Sequence, residues 1–126
     1  MKEKFSIKKR IQSFGYALNG LKILITEEHN ARIHLVVSVI VIILGFAFGI
    51  SLSEWISICL CIGLVIVTET INSAIENLAD FVSPAKNELI KKVKDLSAFA
   101  VLFSAVIAVI TGLIIFLPKI TGLLSN

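Results

Sequence analysis

From Ile33 onward the chain is dominated by apolar runs at 33–52, 55–82 and 96–117. Each is near or above the roughly 20 residues that carry an α-helix across a ~30 Å hydrocarbon core. Before the first run, Ile7, Ile11, Phe14, Leu18, Leu21 and Ile25 recur at alternating steps of four and three. That rhythm predicts an amphipathic helix over about 5–28, and basic residues beside it suit the membrane surface. Glu28 continues the same stripe by one step. The SLSE segment at 51–54 is the polar hinge between the first two runs. The second run should end near Ser83–Pro84, because the residue before a proline is pushed out of helical geometry. AKNELIKKVKD at 85–95 reads as a charged connector or a short helix, with Asp95 at the start of the third span. The expected fold is an all-α membrane protein in a single domain, 1–126: one surface helix and three transmembrane helices, with no internal repeat or low-complexity tract.

Composition agrees. For 126 residues, 56% hydrophobic content and a mean hydropathy of +0.94 exceed what a soluble domain of this size requires. The net charge of +3 is unevenly placed, with Lys2, Lys4, Lys8, Lys9 and Arg10 before the first span and Lys86, Lys91, Lys92 and Lys94 between the second and third. The 51–54 hinge has no basic residue. The positive-inside rule then puts the N-terminus and the 82–95 connector in the cytoplasm, so the charge reads as a topology signal rather than a nucleic-acid surface. Cys59 and Cys61, two positions apart in a span, match neither a redox nor a zinc pattern and read as lipid-facing or packing residues. No charged-then-apolar segment with a small-residue cleavage site opens the chain, so no removed leader is expected. Gly15 and Gly20 weaken the surface helix and suggest a bend or a close approach, and the GFAFG spacing of Gly45 and Gly49 suits close helix packing.

The second span carries a stripe that cannot face lipid. Glu69, Asn72, Glu76 and Asp80 follow one another at three, four and four residues. On a helical wheel the three carboxylates share about a 40° arc, spread along ~16 Å of helix from a buried level at Glu69 to the headgroup level at Asp80. Ionisable groups at that depth pair with each other, with water or with metal in a protected cavity, which makes the stripe a candidate site. It joins a water-soluble reactant to a lipid arriving sideways. Glu76 and Glu28 both belong near the cytoplasmic boundary, where a cation would relieve their repulsion. Mg²⁺ suits, since it takes one or two carboxylates and completes its shell with water and phosphate oxygens. Lys94 beside Asp95 adds a charge for phosphate, and a buried Glu69 as base completes the parts of a phosphoryl transfer to a hydroxyl.

Structural roles remain open for each residue alone. Glu69 and Asn72 can be interhelical hydrogen-bonding groups, Asp95 an N-cap and Lys94 a topology lysine. Tyr16 and Trp55 suit the interfacial aromatic belt, and His29 and His34 lack metal-ligand spacing and read as interfacial polar residues. GxxxxGK[ST] and the protein-kinase motifs are absent, so any nucleotide site is of another kind. Three helices leave one flank of the stripe open, which predicts self-association. A line of intramembrane carboxylates can also serve as an ion path or sit in a non-catalytic membrane oligomer.

ETINSAIENLAD at 69–80, followed by VKDLSAFAVL at 93–102, resembles the signature of the small prokaryotic diacylglycerol kinase family, which includes undecaprenol kinases. Gly15–Tyr16 and EHNARIH at 28–34 extend the resemblance to nearly the whole chain. It implies a homotrimeric inner-membrane kinase that moves the γ-phosphate of ATP to a lipid hydroxyl, undecaprenol or diacylglycerol, in sites shared between subunits. Carried over, Glu69 resembles the general base, and Glu28 and Glu76 the Mg²⁺ ligands. Lys94 and Asp95 resemble the nucleotide phosphate contacts, Tyr16 a residue near the adenine, and Asn72 an active-site polar residue. EHNARIH is more similar to the undecaprenol branch. Phe99 departs from the family, standing where a small residue is usual, and Lys9 stands at the place of its N-terminal arginine.

Overall fold

The computed structural model describes residues 2–126. They form α1 (Ile7–Glu27), α2 (His29–Phe48), α3 (Leu52–Val82) and α4 (Glu88–Leu124), with no strand among them. Ser6 caps α1 by accepting the Lys9 N–H. The α1–α2 junction is a single extended residue, Glu28, at φ −109° and ψ 107°. Its backbone closes α1 by donating to Leu24 O at 3.3 Å, while its side chain makes no capping hydrogen bond to α2. The stripe of α1 finds no cover within the chain, since Ile7, Ile11, Phe14 and Leu18 are all about two-thirds exposed or more and Leu24 is the helix's buried residue. An apolar face of that kind suits a membrane surface.

The α2–α3 turn is tighter than a four-residue hinge. Gly49 adopts the left-handed conformation at φ 59°. Ile50 N–H returns to Gly45 O at 3.1 Å and Gly49 N–H to Phe46 O at 3.3 Å, the Schellman arrangement that satisfies the last carbonyls of a helix. Ser51 then caps α3, its Oγ accepting the Glu54 N–H at 3.3 Å. Leu52, Ser53 and Glu54 are therefore helical, and Gly49 is a helix stop rather than half of a helix-packing pair. Gly45 does admit a close approach, but to a side chain: a Cβ there would lie 2.6 and 2.9 Å from atoms of the Trp55 indole. That indole also packs against Phe46, centroids 4.8 Å apart. Gly15 and Gly20 have nothing within 4 Å of a built Cβ, and α1 runs through them unbroken, so neither a bend nor a close contact within the chain explains them.

The third span differs most from expectation. Asn87 caps α4, its Oδ1 accepting from Leu89 N at 2.9 Å and Ile90 N at 3.2 Å, and the helix then runs 37 residues without a break. Residues 88–95 of the charged connector are thus the first two turns of α4, and Asp95 lies inside the helix rather than at its cap. Pro118 also sits within α4. Near the end of a helix the missing N–H leaves few carbonyls unpaired, and Thr121 Oγ1 lies 3.0 Å from Leu117 O and 3.1 Å from Pro118 O. α3 ends at Val82 with Ser83 as its cap, as the proline signal requires.

α3 and α4 make the most extensive contact, with α2 lying against α3. At the Gly49 end the contact is apolar, built on Ile50, Ile58, Ile115 and Phe116 with Trp55 and Phe48 packed around them. Lys119 Nζ meets Glu54 Oε2 there at 3.1 Å. Towards the other end the buried face turns polar, with Glu69, Asn72 and Ser73 on α3 and Ser97 and Ser104 on α4. Cys59 is exposed and Cys61 half-buried, both as free thiols. Gly45→Ala forces the Trp55 indole out of its seat, and overpacking of this kind costs about 1–3 kcal/mol. Thermal unfolding in detergent should show the loss, and adding Trp55→Leu should recover most of it.

Candidate active site

Glu69 faces inward from the middle of α3 and is 2% exposed. The rigid helix around it dictates the rest of the stripe. Asn72 and Ser73, one turn on, are also buried, Glu76 is half-buried, and Asp80 reaches the surface. The stripe therefore runs from interior to exterior as its spacing requires.

Two neighbouring helices meet Glu69 and Asn72. His34 of α2 places Nε2 3.7 Å from Glu69 Oε2, an ion-pair distance but longer than a hydrogen bond. Glu69 Oε2 is consequently fully buried with no hydrogen-bond partner. From α4, the Ser97 hydroxyl donates to Asn72 Oδ1, joining two buried side chains across the α3–α4 interface. With Oδ1 engaged, the Asn72 amide is held with its NH₂ group free to donate. Ser73 Oγ is buried without a partner. Glu28 and Glu76 are the two other carboxylates within electrostatic reach of Glu69.

Lys94 and Asp95, adjacent in sequence, part company because successive residues on a helix diverge by about 100°. Lys94 turns to α3 and bonds Asp80 at 2.5 Å, while Asp95 faces outward and pairs with Lys91 at 2.6 Å on its own helix. Asp80 so acquires a definite place, tying the end of α3 to α4. Beside this pair lies a cleft of about 510 Å³ whose lining includes Ser83, Lys86, Asn87, Lys91 and Lys94. Tyr16 is 75% exposed on α1. Neither Tyr16 nor Asp95 has a hydrogen bond or ion pair to the Glu69 group, so within one chain these two stand apart from it. Phe99 stacks on Phe103 with centroids 5.9 Å apart and is more than half exposed, so it leaves the α3–α4 contact undisturbed.

A second cavity, of about 440 Å³, opens between α2, α3 and α4. Val37, Val41, Ile58, Val65 and Val109 make it apolar. His34 belongs to its lining, and Val65 is one turn from Glu69, so the end of the cavity defined by these two adjoins the buried carboxylate. An apolar chamber one helical turn from a buried carboxylate is suited to an amphiphile whose polar end reacts.

The family model described as prokaryotic diacylglycerol kinase matches residues 15–116. The chain belongs to the prokaryotic diacylglycerol kinase family. It is 38% identical over 109 residues to an undecaprenol kinase of Bacillus subtilis (strain 168), a match covering 86% of this chain and 89% of that one. A diacylglycerol kinase of Synechocystis is 34% identical over 113 residues, 89% of this chain and 65% of the relative. The diacylglycerol kinase of Escherichia coli (strain K12) is 28% identical over 105 residues, 83% and 86% of the two chains. As a member of the prokaryotic diacylglycerol kinase family with three membrane-length apolar helices, the protein is a multi-pass membrane lipid kinase that uses ATP.

Sequence reasoning missed two residues of this group. His34 read as an interfacial polar residue because its partner lies 35 positions away on another helix. Ser97 carried a faint signal: it stands seven residues before Ser104 on one face of an otherwise apolar helix, where small polar side chains commonly bond across helices. Ser97→Ala strips Asn72 Oδ1 of its donor inside the interface. Lipid phosphorylation should fall about 10-fold, with Ser97→Thr close to wild type, as measured by initial rates in mixed micelles.

Proposed function

We propose that the enzyme phosphorylates a polyprenol, with undecaprenol preferred over diacylglycerol, and that Glu69 is the base that accepts the lipid hydroxyl's proton. The observation carrying this reading is the buried, unpartnered Glu69 Oε2, with an apolar cavity whose lining includes His34 and, one helical turn from Glu69, Val65. A carboxylate without a hydrogen bond in that setting retains a free lone pair for an incoming O–H. The stronger resemblance to an undecaprenol kinase than to the diacylglycerol kinases named above supports the choice of lipid.

In the proposed reaction the lipid chain occupies apolar surface and its hydroxyl lies against Glu69. As the hydroxyl oxygen bonds to the γ-phosphorus of ATP, its proton passes to Glu69 Oε2, the bond from the γ-phosphorus to the bridging oxygen breaks, and ADP leaves. Asn72, oriented by Ser97, donates its NH₂ to an oxygen of the reacting groups. Lys94 gives a point charge for the nucleotide phosphates beside the cleft at the α3–α4 connection, with Asp95 and Tyr16 as further nucleotide contacts supplied across a homotrimer interface. The exposure of these last two residues supports their meeting the nucleotide at a face shared with another subunit.

Glu28 and Glu76 would hold Mg²⁺, which neutralises phosphate charge when bound. The fit rests on the chain's own features. Glu28 is half-buried and free of capping duty, Glu76 is half-buried, and no cluster of three or more candidate ligands occurs among the described residues. Two carboxylates, with water and phosphate completing the shell, is the usual protein share for this ion. The basic residues at the Glu28 and Lys94 end support a cytoplasmic N-terminus in a bacterial inner membrane.

Radiolabelled ATP and Mg²⁺, offered with undecaprenol or diacylglycerol in mixed micelles, test the proposal. Label should enter undecaprenol preferentially. Glu69→Gln should lower the rate by about 10³-fold with the oligomer intact by size-exclusion chromatography. Turnover retained by Glu69→Gln removes Glu69 as base, and preferential labelling of diacylglycerol reverses the substrate assignment.

A further inference from the structure

His34 stands at the meeting of two features that otherwise have no reason to share a residue. Its imidazole faces the unpartnered Glu69 Oε2 at 3.7 Å, and its side chain also lines the apolar cavity. A polar ring there, with its side chain 24% exposed, is costly unless it has a counterpart. Its nearest counterpart is the carboxylate. The groups that bear on Glu69's charge are unbalanced. Glu28 from the α1–α2 corner and Glu76 from α3 itself are carboxylates too, and on α4 the neutral Ser97 bonds Asn72 while Lys94 pairs with Asp80. Among the described residues His34 is the one basic side chain at ion-pair distance from Glu69.

We infer that His34 is the positioning residue of the base: its Nε2–H, presented from α2, orients the Glu69 carboxylate towards the end of the lipid cavity. The inference rests on Glu69 being the base. It gives α2 a function in the reaction, because α2 carries both a wall of the cavity and the group that readies the base. A lipid entering between α2 and α3 passes the residue that aims the carboxylate at its hydroxyl. The gap of 3.7 Å closes with a small rotation of either side chain, and the imidazole makes no hydrogen bond that would oppose it.

Steady-state kinetics of purified oligomer carrying His34→Ala, His34→Leu or His34→Gln, with Glu69→Gln in parallel, test this. His34→Ala and His34→Leu should lower kcat about 10- to 100-fold, as misplacement of a reacting group does. KM for ATP should stay within about threefold, since no nucleotide contact is removed. The acid limb of the kcat–pH profile should move to higher pH in both, because the buried carboxylate then lacks the donor that favours its charged form. His34→Gln, which keeps an N–H of comparable reach, should retain most of the rate, and added imidazole should restore part of the His34→Ala rate. An unmoved acid limb, an unchanged kcat, or a loss that His34→Gln shares in proportion to lost thermal stability overturns the inference. An inactive Glu69→Gln beside unaltered His34 profiles rejects His34 alone, whereas an active Glu69→Gln rejects the base.

Discussion

One carboxylate buried at membrane depth sets the terms for the rest of this structure. An ionised group taken from water into a low-dielectric interior loses solvation worth several kcal/mol, which only nearby polar groups offset. Glu69 sits on α3, so those groups have to arrive from the helices flanking it. α2 brings His34 to 3.7 Å from it, and α4 brings Ser97 to Asn72 one turn further along α3. The bundle divides accordingly. Its apolar half, around Ile58, Ile115 and Phe116, fastens α3 to α4 by packing, while its polar half holds the reactive side chains in register.

The length of α3 turns that constraint into a device for joining two phases. A helix of 31 residues spans about 46 Å, more than a hydrocarbon core requires, so the same rigid rod carries Glu69 inside and Asp80 at the surface. α4 is longer still, and its first turns extend the pairing beyond the apolar region, where Asp80 and Lys94 meet. A lipid kinase needs this continuity, because one substrate is confined to the bilayer and the other to water. Glu69 and Asp80 are held apart along one axis by helical rise, with no loop between them to loosen the spacing.

Much of this was legible in residue order. The alternating steps of the α1 stripe, the Ser83–Pro84 stop and the three apolar runs mark elements that the structure contains, because each depends on contacts within a few residues. The 3-4-4 spacing of Glu69, Asn72, Glu76 and Asp80 likewise anticipates a stripe graded from buried to exposed. Boundaries were less legible. The 85–95 segment looks like a connector because Lys86, Lys91, Lys92 and Lys94 break its hydropathy, yet charged residues are good helix formers, and Asn87 caps a helix that simply continues into the span. GFAFG looks like a helix-packing motif, but whether a glycine continues a helix or ends it depends on a single φ angle, and Gly49 ends it.

Sequence alone therefore determined the class of the molecule, its membrane-length helices, and the carboxylate face of α3, since hydrophobic period and helical geometry act locally. Tertiary structure decided what stands opposite that face. It paired His34 with Glu69 and Ser97 with Asn72, turned Lys94 towards Asp80 and Asp95 away, and opened an apolar cavity lined by His34 and Val65. The physical reason is that a helix's own repeat says which of its residues share a side, but the rotation and depth at which two helices meet come from packing summed along their whole lengths. Trp55 lodged on Gly45, the Ile58–Phe116 cluster and the bond between Asp80 and Lys94 set that rotation and depth, and none of them is near Glu69 in the chain.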